Sequence, residues 1–199
     1  MKSRSGRGGR RPGSPDTRGQ ILDAARTEFA RSGFGGTTIR TVASAAAVDP
    51  ALVHHYFGSK QQLFEAVIDP PADPRAIVAP VLDLPREEMG EALVRQFLAL
   101  WDGPPGHRAR VLMTSAVTDP ATGALLREFV LMRAVHPVLA AVATPRRERD
   151  LRAGLITSQL MGLALARYVL AFPELTKPTA DRLVHAIAPT IQRYLTGEV

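Results

Sequence analysis

Between Thr37 and Gln62 the chain is punctuated four times. Thr37 or Thr38 can cap a helix over Ile39–Ala46 by accepting from a first-turn N–H. Asp49-Pro50 opens a second helix, with Asp as the cap and Pro at the first helical position, where no N–H is needed. Gly58 ends that helix after Phe57, and Ser59 with Gln62 has the capping-box spacing that opens another over Lys60–Ile68. The first two form a pair of short helices joined by a tight turn. Ile39, Val42, Ala43 and Ala46 share the inner face of the first. Small alanines there let the second helix cross closely and steeply, and Val48, Leu52 and Val53 complete a small core. A second helix held in this way can project its outer, N-terminal residues into a major groove.

The flanks extend the pattern. From Asp16, the residues Ile21, Leu22, Ala25, Phe29 and Ala30 recur at three- and four-residue steps, which lays one apolar stripe on a helix. Thr17 and Gln20 have capping-box spacing at its start, and Gly33 is placed to stop it in the left-handed conformation. Asp69-Pro-Pro-Ala-Asp-Pro74 reads as a boundary. Beyond it, periodicity predicts helices near 75–82, 86–102, 106–117, 121–142, 146–172 and 179–196, with Pro189 kinking the last. No stretch alternates as a strand does. The expected fold is all-α, with about nine to ten helices in three parts. These are a disordered basic arm at 1–15, a helix-turn-helix unit at 16–69 with its motif at 38–57, and a helical unit at 75–199.

Charge sharpens this division. The formal net charge is +6, yet residues 19–69 are near neutral. In the first 18 residues Lys2, Arg4, Arg7, Arg10, Arg11 and Arg18 stand against Asp16 alone. Such a tail meets polyanions by releasing their counterions; it reads either as an arm laid along a duplex or as a solubilising tail. GRGGRRPG lacks both the preceding strand and the GK[ST] of a phosphate loop. The absence of cysteine excludes disulfides and thiolate chemistry, and no apolar region follows the basic start as a secretory signal requires. Ala153–Phe172 is largely apolar, but Thr157, Ser158, Gln159 and Arg167 favour a buried interface helix over a membrane span. His54, His55, His107, His136 and His185 fall in no catalytic spacing, so no enzyme is expected. Adjacent His54 and His55 point about 100° apart on a helix, so one metal ion does not take both.

The run GGTTIRTVASAAAVDPALVHHYFGSKQQLF resembles the DNA-binding domain of the tetracycline-repressor (TetR) family, and the likeness covers Thr17–Ile68 without a gap. It is carried by the Thr-Ile start, Val42-Ala43, Ala46 and Val48, Tyr56-Phe57, Ser59-Lys60 and Leu63-Phe64. The segment DPALVHHYFGSK and the APTIQRYL ending resemble an actinobacterial-type subgroup. Two positions depart from the family pattern. Ala47 replaces a turn glycine and must accept a left-handed backbone, and His54 replaces a tyrosine, which makes pH-sensitive binding conceivable.

The resemblance implies roles position by position. Thr38 and the helix start behind it would hold a phosphate, and Arg40 would reach a base or a phosphate unless it is a solvated charge. Asp49, Pro50 and Ala51 open the recognition helix, with Ala51 limited to an apolar contact such as a thymine methyl. His54, His55 and Tyr56 would touch backbone or base edges, Phe57 would turn into the core, and Lys60 would contact phosphate. The partners implied are double-stranded DNA, a second copy of the chain and an unidentified lipophilic effector, with no cofactor and a cytoplasmic location.

In the C-terminal unit Gly154, Ser158, Gly162 and Ala166 repeat every four residues, so a partner helix can come close. Ile187, Ile191 and Tyr194 add an apolar face on the last helix. Two helices from each of two chains would form a four-helix interface about a two-fold axis; the other reading is an intramolecular core. Trp101, Met113, Phe129, Met132, His136 and Gln159 are expected to line an effector cavity.

Overall fold

A computed structural model describes residues 16–199; the basic arm at 1–15 lies outside the described residues. The described residues hold helices and connecting loops and no strand. The first four helices are α1 (Thr17–Gly36), α2 (Ile39–Ala45), α3 (Pro50–Phe57) and α4 (Lys60–Ile68). They are followed by α5 (Pro74–Leu82), α6 (Met89–Asp102), α7 (Gly106–Thr118) and α8 (Pro120–Val130). A π-helical turn, Leu131–Val135, joins α8 to α9 (His136–Ala141). Then come α10 (Arg146–Ala164), extended by a second π turn Leu165–Val169, the short α11 (Pro173–Thr176) and α12 (Ala180–Thr196). α12 continues through Pro189.

Local chemistry fixes the starts. Asp49 accepts from the N–H of Ala51 at 2.7 Å, and Ser59 accepts from that of Gln62 at 3.1 Å. Thr38 and Thr41 form a reciprocal capping box, each backbone N–H donating to the other's hydroxyl. At α1 the cap is Asp16, which accepts from the N–H of Gly19, rather than the Thr17–Gln20 pairing. Gly33 breaks that helix at φ 67°, and Gly58 ends α3 at φ 73°.

Two cores result. Ile21, Ala25, Phe29, Val42, Ala43, Val53, Phe57, Leu63 and Phe64 pack into the first, which Leu125 and Phe129 of α8 complete. The second spans α5 to α12, with α6 lying along α12 through Leu93, Val94, Phe97 and Leu98 against Leu183, Val184, Ala188, Ile191 and Leu195. Helix α8 therefore belongs to both. Polar ties reinforce the junction. Both carboxylate oxygens of Glu128 accept from the N–H of Phe34 at 2.8 Å, Arg133 pairs with Glu65, and Arg108 lies 2.7 Å from Asp69.

Candidate nucleic-acid interface and effector cavity

The turn between α2 and α3 is built as a left-handed stop. Ala47 adopts φ 52°, and the N–H of Val48 donates back to the carbonyl of Ala43 at 3.0 Å. The backbone accepts this strain at a non-glycine residue because Val42, Ala43 and Val53, all fully buried, lock the two helices together. Phe57 faces inward and Tyr56 outward, as expected.

The outer face that this packing leaves consists of Thr38 and Arg40 on α2 and Asp49, Pro50, Ala51, His54, His55 and Tyr56 on α3, all exposed. The Asp49 carboxylate is turned onto its own helix start, which reduces the negative charge facing outward. His54 Nδ1 lies 2.9 Å from the carbonyl oxygen of Gly58, which can only accept, so Nδ1 carries the hydrogen of that bond. His55 and Tyr56 stack edge to face at 5.5 Å.

Lys60 is placed differently from the free phosphate contact expected. Its ammonium donates to the carbonyls of Phe34 at 2.7 Å and Thr37 at 2.9 Å and lies 4.3 Å from the centre of the Phe34 ring. It therefore ties α4 to the loop that presents Thr38. Two residues join the face unforeseen. Thr41 is exposed beside Thr38, and Arg18 holds its guanidinium 5.3 Å over the Phe57 ring. The capping spacing Thr38-x-x-Thr41 was a signal for the first.

The second core contains an apolar cavity of about 140 Å³. Trp101, Met113 and Phe129 line it, as expected. Met132, His136 and Gln159 do not. Met132 packs against the first core, and His136 lies with it in a separate surface depression beside Phe34 and Arg133. Gln159 is exposed on the outside of α10, whose cavity face is formed by Thr157, Leu160 and Met161. The linker prolines Pro70, Pro71 and Pro74 form part of the wall and had no place in the expected set.

The small-residue stripe of α10 is open. Gly154, Ser158 and Gly162 are exposed, and a Cβ at either glycine would meet nothing within 4 Å. Ala166, Ile187 and Tyr194 are half-buried. Ile191 is withdrawn from this face: it is fully buried within one chain, in the second core. Among the described residues no helix is long and apolar enough to cross a membrane.

Short capped helices crossing at a left-handed turn, with α3 exposed along one side, define a helix-turn-helix DNA-binding protein joined to a helical unit with its own cavity. The model for "Bacterial regulatory proteins, tetR family" matches residues 21–67, and that for "Tetracyclin repressor-like, C-terminal domain" matches residues 87–195. The chain belongs to the TetR family of transcriptional regulators. It is 26% identical over 157 residues to the HTH-type transcriptional regulator UidR of Escherichia coli K12, covering 70% of this chain and 80% of that protein. It is 30% identical over 104 residues to the HTH-type transcriptional regulator BetI of Paraburkholderia xenovorans, covering 42% of this chain and 52%, about half, of that relative. A solved TetR-family regulator from Streptomyces coelicolor is 30% identical, with 94% of this chain and 99% of that one covered, at a TM-score of 0.46.

Proposed function

We propose that this regulator is a ligand-responsive repressor that acts in the cytoplasm as a homodimer on a near-palindromic operator. The observation that carries the reading is α8, which supplies Leu125 and Phe129 to the DNA-binding core and Leu126, Phe129 and Val130 to the cavity wall. Whatever occupies the cavity acts on an element that the reading head cannot move without. An effector shifts the equilibrium only by its differential affinity for the two arrangements of that element.

In this reading residues 16–69 read DNA, residues 75–199 bind effector and partner, and the arm at 1–15 adds salt-dependent affinity. Thr38, Arg40, Ala51, His54, His55 and Tyr56 form the contact face, with Asp49 and Pro50 setting the start of α3. Lys60 acts by holding the Thr38 loop. The open stripe of Gly154, Ser158 and Gly162, with Ala166, Ile187 and Tyr194 beside it, supports close approach of a second copy. The segment DPALVHHYFGSK supports placing the chain in an actinobacterial-type subgroup.

Footprinting on the DNA upstream of the chain's own coding sequence tests the proposal. A protected near-palindrome, with half-sites about one helical turn or a multiple apart, is expected. His54→Ala should weaken its binding about tenfold, within the range of one base contact. Random duplex bound as tightly as that site would identify a non-specific DNA binder instead.

A further inference from the structure

We propose that the cavity takes a neutral, mainly hydrocarbon ligand of about one ring in size, whose single hydrogen-bonding group is met by Thr157. This rests on the cavity being the effector site. The volume, about 140 Å³, is close to the roughly 150 Å³ apolar cavity that binds benzene in another protein. Trp101, Phe97, Phe129, Met113 and Leu160 form the wall, and no charged residue is among the lining. Thr157 carries the one hydroxyl there; it is buried without a hydrogen-bond partner and is turned away from a cavity surface that is wholly apolar. Rotation about its Cα–Cβ bond exchanges methyl and hydroxyl, so a ligand hydroxyl or carbonyl gives that oxygen the partner it lacks.

The cations nearby lie outside or bond to protein oxygens through their terminal nitrogens. Arg75 and Arg108 stand with Glu65 and Asp73 in a depression on the outer side of the Pro70–Pro74 linker, and Arg108 is paired with Asp69 at 2.7 Å. At the Trp101 end, Arg167 donates to the carbonyls of Leu175 and Pro178 and lies 3.5 Å from Asp102. A carboxylate or phosphate on the ligand would enter the cavity unpaired, and an isolated charge in an apolar site is strongly disfavoured. A quaternary ammonium would find aromatic faces but no carboxylate on the wall.

Trp101 is the only tryptophan of the chain and lies on the cavity wall, stacked 5.1 Å from Tyr168, so its fluorescence reports occupancy. Three probes of one shape separate the possibilities in the full-length protein at neutral pH: 4-propylphenol, propylbenzene and 4-propylbenzoate. The phenol and the hydrocarbon should each change Trp101 emission saturably, the phenol binding about fivefold tighter for its one added hydrogen bond. The benzoate should bind on the order of 100-fold more weakly than the phenol, its charge being unpaired. Thr157→Val should erase the preference for phenol over hydrocarbon. Benzoate binding equal to that of the phenol, no saturable binding by either neutral probe, or an unchanged preference in Thr157→Val overturns the proposal. Should the variant fail to fold, the neutral-against-charged comparison on the parent protein still decides it. The footprint on probe-free protein is separate: probe failure with an intact footprint rejects the ligand class alone, and probe binding without a footprint rejects the proposed local operator alone.

Discussion

The two ends of the molecule satisfy their backbones and cores to different degrees. In the first region each of α1 to α4 is opened by a side chain that accepts from its own first turn: Asp16, Thr38, Asp49 and Ser59. Its core is sealed by Phe29, Phe34 and Phe64, with ring centroids 4.9–6.1 Å apart. In the second region Asp73, Asp119 and Thr179 cap α5, α8 and α12, but α6, α7, α10 and α11 start without a side-chain cap. Among the described residues, both π turns and the unpartnered buried polar atoms of Thr144, Arg149, Thr157, Arg167 and Tyr168 are found there, as is the cavity. The contrast fits the proposed division of two tasks within one chain. A surface that reads DNA needs fixed geometry, whereas a site that responds to a ligand needs an element with more than one acceptable arrangement.

The sharpest way to break this comparison is to insert the same side chain into both cores. Ala43→Leu adds volume where α2 and α3 touch and should cost about 1–3 kcal/mol, with loss of DNA binding. Ala109→Leu adds the same volume on the cavity wall and should leave stability within about 1 kcal/mol of the parent. Paired denaturant melts measure both. Equal costs would mean that the second core is as filled as the first.

A smaller effect tests the caps. Asp49→Ala should cost about 1 kcal/mol, and Asp49→Asn should recover most of it, because either oxygen can accept from Ala51. Thermal melts that leave Asp49→Ala unchanged would remove the local explanation for the start of α3.

The smallest effect lies in the second region. Burial first, and the Asp102 carboxylate beside it, push the Tyr168 hydroxyl up to about 12, while Arg167 pulls the other way. The folded value lies above the unfolded one of 10.0, so the neutral tyrosine contributes stability that is fully present below pH 10 and lost as pH rises toward 12. In an ultraviolet titration Tyr168 should ionise well above the ordinary tyrosine value of 10.0, and Tyr168→Phe should flatten the alkaline loss of stability.

What could be read from the sequence follows the same division. Helix ends in the first region were legible because a cap is decided by residues within one turn: Asp49-Pro50 and Ser59 start helices and Gly33 stops one, each over that range. The cap at Asp16 was assigned one residue late because Thr17 also offers a hydroxyl at the right spacing. The cavity was legible only up to Phe129. An unbroken α-helical period carries the stripe from Phe129 to Met132 and His136, but the π turn at Leu131–Val135 takes an extra residue into the turn, so Ala134 and Val135 reach the wall instead. Gln159 failed for a simpler reason. It lies two residues from Thr157, which on a helix is nearly the opposite face. The face of α12 was wider than one partner needs, so Ile191 went to α6 and left Ile187 and Tyr194 at the edge.

The proposed mode of action requires the outer side of α3 to meet base edges. Ala51 is exposed and packs in neither core, so Ala51→Glu tests that placement without disturbing the fold. Operator affinity measured by gel shift at fixed salt, beside a thermal melt, should fall on the order of 100-fold with an unchanged melting temperature, since a carboxylate would then face the duplex. Parental affinity in a folded Ala51→Glu variant would contradict the account.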